Sequence, residues 1–351
     1  MTQTDFYIGT YSRELDGNPA NGAGIYRCRL DLERGEISPA ICVAECINPS
    51  YLTWGIGQKY IYATREMFAG NTPGVMAFSC TQGTLTPLNS QPLTGGAPCH
   101  LSVHPSGRYL ASAQYETGDI AIFALNNDGT IGQLQQKIQH HGSSANAGRQ
   151  AGPHAHFAQF SPDSKHLEVI DLGLDRIFTY PFDGQADQEN GTVLKLPAGA
   201  GPRHLTHVSD KYMAVINELN EHVTLFERSA GQWQEKHSIQ TFDALNGTDG
   251  MGAAIRSSVD GRFLYVSGRT KPEIVCFAID QTNGTLSLVQ RISTGGEFPR
   301  DFALTPDGQY IIVANQLSNN LTCFQRDSQT GKLHNTGFSV EIGSPTCVLC
   351  G

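Results

Sequence analysis

This chain is short of charge. Asp, Glu, Lys and Arg make up only 16% of its 351 residues, and the acidic ones outnumber the basic ones 33 to 24, for a formal net charge of −9. No run of Lys and Arg occurs, which excludes the extended basic surface that follows a nucleic-acid backbone or an anionic membrane. A local cationic pocket stays open. Long apolar runs are also missing, and nothing approaches the roughly 20 residues of a membrane-spanning helix. The opening MTQTDFYIGTY has neither the basic start nor the apolar core of a secretion signal. The nine cysteines are an odd count, and Cys276 and Cys323 fall inside strand-like patterns where a free thiol packs as a small hydrophobe. A reduced, cytoplasmic protein is expected.

Several catalytic signatures are absent as well. There is no Gly-x-Ser-x-Gly elbow, no phosphate-cradling P-loop, and no dinucleotide fingerprint between strand and helix. What is abundant is glycine, at 38 residues, with 17 prolines. That balance suits many tight turns between short strands.

A repeat organises those turns. An apolar-x-x-aromatic-like signature recurs at Ile25–Cys28, Val75–Phe78, Ile120–Phe123, Ile177–Tyr180, Val223–Phe226, Ile274–Phe277 and Leu321–Phe324, at intervals of 45 to 57 residues. Gly-x-apolar follows each copy: Gly35–Ile37, Gly83–Leu85, Gly129–Ile131, Gly191–Val193, Gly231–Trp233, Gly284–Leu286 and Gly331–Leu333. Seven in-phase copies predict an all-β, seven-bladed propeller with four antiparallel strands per blade, residues 1–351 forming one domain. In residues 298–333 the strands read Arg300–Leu304, Tyr310–Asn315 and Asn320–Gln325, with a fourth after Gly331. Thr305-Pro306-Asp307-Gly308 turns the first pair, and His104-Pro105-Ser106-Gly107 belongs to the same turn class, so His104 reads as structural. The seventh opening segment, Ser344–Leu349, ends the chain, while the N-terminal blade lacks a first strand. The C-terminal strand is therefore expected beside Phe6–Tyr11, closing the ring and removing exposed edges.

The first strand of a propeller blade lines the channel, so its start and the end of the second strand meet on one rim. First-strand starts carry His154, Arg203 and Arg300, each directly after proline, with Ser50, Cys99, Ala253 and Thr346 at the positions taken as equivalent. Second-strand ends carry Glu66, Tyr115, Glu218, Arg269 and Gln316. Buried charge is costly unless paired, so this rim either forms an ion network that fixes blade order or faces a ligand.

Glu218, flanked by cations, is the candidate base that orients or activates a water. Arg203, Arg269 and Arg300 can grip phosphate or carboxylate, or steady an oxyanion, and Arg300 can alternatively pair with Asp301 or Glu297. His154 is the candidate proton donor to a leaving alkoxide. His156, two residues on, would make a His-x-His pair with it, but no third ligand accompanies them and no metal is expected. His204 should point into its blade. His140 and His141 lie in an apparent Gln133–Gly152 insertion that reads as a mobile loop able to lid the site, with Arg149 at its end within reach of substrate. A calcium site would need an Asp, Asn and Glu cluster, which the mixed Arg, His and Glu rim does not provide.

The stretches Arg149-Gln150-Ala151-Gly152-Pro153-His154-Ala155-His156, Asp171-Leu172-Gly173, Gly201-Pro202-Arg203-His204-Leu205 and Asn217-Glu218-Leu219 resemble the seven-bladed propeller lactonase family, as do Tyr7-Ile8-Gly9-Thr10-Tyr11 and Ala314-Asn315-Gln316. Gly268 before Arg269, and Gln114-Tyr115, depart from the commoner family residues. The resemblance covers essentially the whole chain. It implies hydrolysis of a sugar lactone, above all 6-phosphogluconolactone in the pentose phosphate pathway, with His154, Arg203, Glu218 and Arg269 on the catalytic positions. Arg300, Arg149, Glu66, Tyr115, Gln316 and His156 are expected to bind substrate, without cofactor or metal. The expected partner is a small-molecule lactone, with no nucleic acid and no membrane, on a monomer or weak homodimer. Two alternatives stand beside it: a cyclase of the carboxymuconate type, and a non-catalytic propeller scaffold.

Overall fold

The computed structural model describes residues 3–242 and 250–351. Its regular structure is almost all strand, and the helical turns among the described residues are two 3-10 segments, Ile56–Gln58 and Leu172–Leu174. Strands pair into seven antiparallel sheets, six of them four-stranded in plain meander order. In the remaining sheet Pro345–Cys350 lies beside Gln3–Thr10, which lies beside Gly24–Asp31. Gly24–Asp31 then pairs with two short pieces, Glu36–Ile37 and Ile41–Glu45. Pro39 stands between them and has no N–H to give the ladder, so the outer strand is split. The protein is thus an all-β seven-bladed propeller with four antiparallel strands per blade, and the C-terminal strand completes the N-terminal blade as expected, its start one residue later than Ser344.

The residues group into two compact units. One comprises Met1–Tyr7, Cys28–Ala40 and Pro202–Gly351, the other Ile8–Arg27 and Ile41–Gly201. In the first, the strand Glu273–Asp280 is apolar on both faces because both are covered. Val275, Phe277 and Ile279 pack with Tyr212, Ile216 and Leu225 of the preceding sheet, while Ile274 and Cys276 pack with Phe302, Val313 and Phe324 of the following one. The second unit repeats the arrangement: Ile120 and Ile122 meet Phe160 and Val169, while Ala121 and Phe123 meet Tyr62 and Val75. Face-to-face sheet packing explains why these strands read as continuous apolar runs.

The Gly-x-apolar repeat has a packing cause. Gly331 sits in the turn between third and fourth strands at φ 74°, and a Cβ there would lie 2.3 Å from Cδ1 of Phe263 in the preceding sheet. The hydroxyl of Tyr265, on the same strand as Phe263, donates to the Gly331 carbonyl at 2.8 Å. Gly129 meets the ring of Tyr60 in the same way, and Tyr62 donates to its carbonyl at 3.0 Å. In these blades an aromatic side chain reaches forward onto the glycine turn of the next.

A second repeated device sits in the turns between second and third strands. Asp175, Glu221 and Asn319 adopt left-handed backbone at φ 53°, 56° and 55°. Their side chains accept from the backbone N–H groups of Gly201 (2.6 Å), Met251 (2.9 Å) and Ser344 (2.8 Å), each immediately before a first strand. Asp175 also accepts from Gln150 Nε2 and Ser144 Oγ, which anchors the segment that sequence reading left as a loose insertion. That insertion is shorter than expected, because Ile131–Gln139 is the fourth strand of its blade. His104 has the structural place expected of it: Nδ1 engages Ser106 across the turn and Nε2 reaches the Ser164 carbonyl at 3.1 Å.

Candidate active site

Arg203 occupies a break in its ladder. Pro202 pairs with Asn217 and His204 with Ile216, so Arg203 is the extra residue of a β-bulge, a device that redirects a side chain. Glu218 is the first residue after the partner strand, and Arg269 holds the same place one blade on. All three side chains are buried. One carboxylate oxygen, Glu218 Oε2, takes Arg203 Nε at 3.1 Å and Arg269 Nη2 at 2.6 Å. Arg203 Nη1 also donates to the Ala253 carbonyl at 2.7 Å, Arg269 Nε to that of Met251 at 3.2 Å, and the Arg269 guanidinium lies over the Phe298 ring. Two planar guanidiniums thus converge on one buried carboxylate oxygen, an arrangement of fixed donors that suits the binding of anionic oxygen.

Arg300 is likewise a bulge residue, with Nη1 3.4 Å from Oε1 of the buried Gln316. Asp301, one of the two acids considered for it, is held instead by Arg256 at 2.9 Å and the Val348 amide at 3.0 Å. His204 is buried, with Nε2 3.3 Å from Arg203 Nη1.

The other unit gathers Tyr115, His154, His156 and Arg149. Register corrects one sequence assignment here. Ala155 pairs with Asp171 and Phe157 with Ile170, so His156, not His154, is the bulge residue matching Cys99, Arg203 and Arg300. Cys99 and His156 stand together, Sγ to Nδ1 3.9 Å. His154 precedes the strand, half-buried, its ring stacked on Tyr115 at 4.6 Å. Its Nδ1 lies 2.8 Å from the Tyr115 carbonyl, an acceptor only, so Nδ1 carries the hydrogen and the neutral ring keeps its lone pair on Nε2. Arg149 Nη2 donates to the Tyr115 hydroxyl at 3.2 Å. Glu66 is buried, with Oε1 accepting from Tyr11 at 3.0 Å.

Residue-by-residue reading missed Asp171. It is fully buried, and its carboxylate accepts from the His154 backbone N–H at 2.8 Å and from His140 Nδ1 at 2.7 Å. Its signal was the Asp-Leu-Gly triplet, whose partners only the ladder brings near. Among the described residues, no group of three or more His, Cys, Asp or Glu side chains is placed to hold a metal ion.

Residues 5–350 match the family model described as lactonase, seven-bladed β-propeller. The chain belongs to the seven-bladed β-propeller lactonase family. It is 32% identical over 353 residues to the 6-phosphogluconolactonase of Bacillus subtilis, covering 99% of this chain and 98% of that one. It is also 32% identical over 336 residues to the 6-phosphogluconolactonase of Formosa agariphila, covering 93% and 94%. The solved structure of the periplasmic gluconolactonase of Pseudomonas aeruginosa superimposes with a TM-score of 0.88 at 29% identity, covering 99% and 98%. As a lactonase, the protein is an enzyme acting on cyclic esters.

Proposed function

We propose that this lactonase hydrolyses a sugar δ-lactone, with 6-phosphogluconolactone as substrate and 6-phosphogluconate as product. The observation that carries the proposal is the buried Arg203–Glu218–Arg269 cluster, whose planar guanidinium forks suit a phosphate, a carboxylate or the oxyanion of a tetrahedral intermediate. Relatives named 6-phosphogluconolactonase support the phosphorylated substrate.

The roles follow from geometry. Glu218 Oε2 is already engaged by two guanidiniums, which leaves that oxygen little room to take a water proton. Glu218 therefore serves to orient the arginines, and proton transfer falls to His154 Nε2. Water adds to the lactone carbonyl as its proton passes to Nε2, and the negative charge gathers on the former carbonyl oxygen. On collapse the ring C–O bond breaks, and the imidazolium returns the proton to the departing alkoxide. No metal enters the scheme. Arg300, Arg149, Glu66, Tyr115, Gln316 and His156 are proposed to shape the binding of the sugar.

Purified, chelator-treated enzyme assayed on 6-phosphogluconolactone, gluconolactone and a muconolactone, against spontaneous hydrolysis, tests the proposal. His154→Gln should lower kcat on the order of 10²–10⁴-fold. Full activity in that variant, or reversible loss on chelation, would refute it. The relative named gluconolactonase favours a second reading, an unphosphorylated lactone. A kcat/KM higher for gluconolactone than for its phosphate would select it.

A further inference from the structure

The 140–154 segment is tied down along its length. His140 and Gln150 are buried, and Gln150 Nε2 donates to the Leu172 carbonyl at 2.8 Å. The Leu172 amide donates to the His154 carbonyl at 2.9 Å. At Gly173 a Cβ would lie 2.0 Å from the Gly152 carbonyl oxygen and 2.9 Å from the His154 amide nitrogen, so the two stretches touch backbone to backbone. Into this contact projects the Asp171 carboxylate, fully buried, one oxygen on the His154 N–H and the other on His140 Nδ1. His140 Nε2 lies 3.0 Å from the Tyr180 hydroxyl. Burial and the Asp171 charge push Tyr180 ionisation upward, so the phenol stays protonated and donates.

A buried carboxylate is expensive, and this one spends its two oxygens on a backbone amide and on a histidine that is itself bonded to Tyr180. A hydrogen-bonded chain thus runs Tyr180, His140, Asp171, His154 amide. It ends on the residue whose ring is independently fixed by the Tyr115 carbonyl and ring.

We infer that Asp171 is a positioning residue for proton transfer: its hydrogen bond from the His154 amide, backed by His140 and Tyr180, places the His154 ring so that Nδ1–H meets the Tyr115 carbonyl and Nε2 is left to the reaction. The inference rests on the proton-transfer role proposed for His154. Asp171 acts through place and not through charge, so an amide oxygen can do the same work. In Asp171→Asn the side-chain oxygen still accepts from His154, the NH₂ donates to His140 Nδ1, and His140 moves its proton to Nε2.

The test combines kinetics with long-range ¹⁵N–¹H spectra of the histidine rings. In the wild type, neutral His154 should be protonated at Nδ1, and an Nε2-protonated ring overturns the inference whatever the substrate. Asp171→Ala should lower kcat by about 10²-fold, the scale set by misplacing a catalytic group by about 1 Å, with KM within about threefold. Its His154 spectrum should become a mixture of tautomers. Asp171→Asn should keep kcat within about fivefold of wild type and retain the Nδ1 tautomer. An Asn variant as impaired as a 10²-fold loss, an Ala variant with wild-type kcat, or a loss confined to KM overturns it. Should Asp171→Ala not fold, the wild-type spectrum and the Asn variant decide. Should no lactone be turned over, the proposed function falls and the spectra alone judge the positioning.

Discussion

At the scale of the residue, the candidate site turns on the difference between a charge and a fork. Arg203 uses Nε for Glu218 and Nη1 for the Ala253 carbonyl, two directions that a lysine ammonium on a flexible stem cannot serve together. Arg203→Lys should therefore keep the charge and still lower kcat/KM by about 10- to 100-fold, the worth of a lost charged hydrogen bond. Steady-state kinetics would show it, and near-wild-type kcat/KM would mean that only charge matters there. Glu218→Ala leaves two buried guanidiniums without their shared anion, and unfolding titrations should show a loss of about 3–5 kcal/mol. Sequence pattern made the Arg203–Glu218 neighbourhood legible, because the start of one strand and the end of its antiparallel partner must meet. The same pattern misplaced His154. Counting from proline assumes an unbroken ladder, and a bulge adds a residue that leaves no mark in composition, so His156 took the position assigned to His154. Asp171 stood in a quoted motif but without a role, for a related reason: an Asp at a strand end looks like any solvated turn acid until its backbone and histidine donors are located.

At the scale of the element, hairpins hold the strands that follow them. Asn319 is the clearest case, since its left-handed backbone and its side-chain bond to the Ser344 amide both serve the C-terminal strand. Asn319→Ala should cost about 1–2 kcal/mol, from the lost hydrogen bond and the poorer fit of alanine to positive φ. Removing Pro345–Cys350 altogether would uncover the edge of Gln3–Thr10, and size-exclusion chromatography should then show association or aggregation. An unaltered elution profile would contradict the closing role of that strand. Strand order and the closure were readable because seven in-phase copies leave one incomplete blade and one spare strand. The split outer strand of the N-terminal blade was written in Pro39, but the 140–152 anchoring was not, because Gly, Ser and Ala look alike in a loose loop and a pinned one.

At the scale of the molecule, stability should carry the signature of its buried thiols. Burial pushes Cys276 and Cys323 from an ordinary 9.0 up to about 12. The folded protein keeps protons that the unfolded chain releases above pH 9, so this contribution is whole below pH 9 and is lost as pH climbs toward about 12. Each thiol should remove about 1.4 kcal/mol of stability per pH unit in that window. Denaturation midpoints measured from pH 7 to 11 should fall accordingly, and a flat profile would show that these thiols ionise freely in the fold.

The aromatic-on-glycine contacts described for Tyr62 with Gly129 and Tyr265 with Gly331 recur as Tyr310 donating to the Leu32 carbonyl beside Gly35. Each of the three runs from one blade to the next in propeller order, with the last blade followed by the N-terminal one, which makes the contact head-to-tail: a blade offers its ring to its successor and its glycine turn to its predecessor. One ancestral blade carrying both halves would already be complementary to a copy of itself, so tandem duplication yields matched surfaces without any new invention. Drift is then constrained in couples, with a bulky residue at Gly331 tolerable only if Phe263 shrinks in the blade before it.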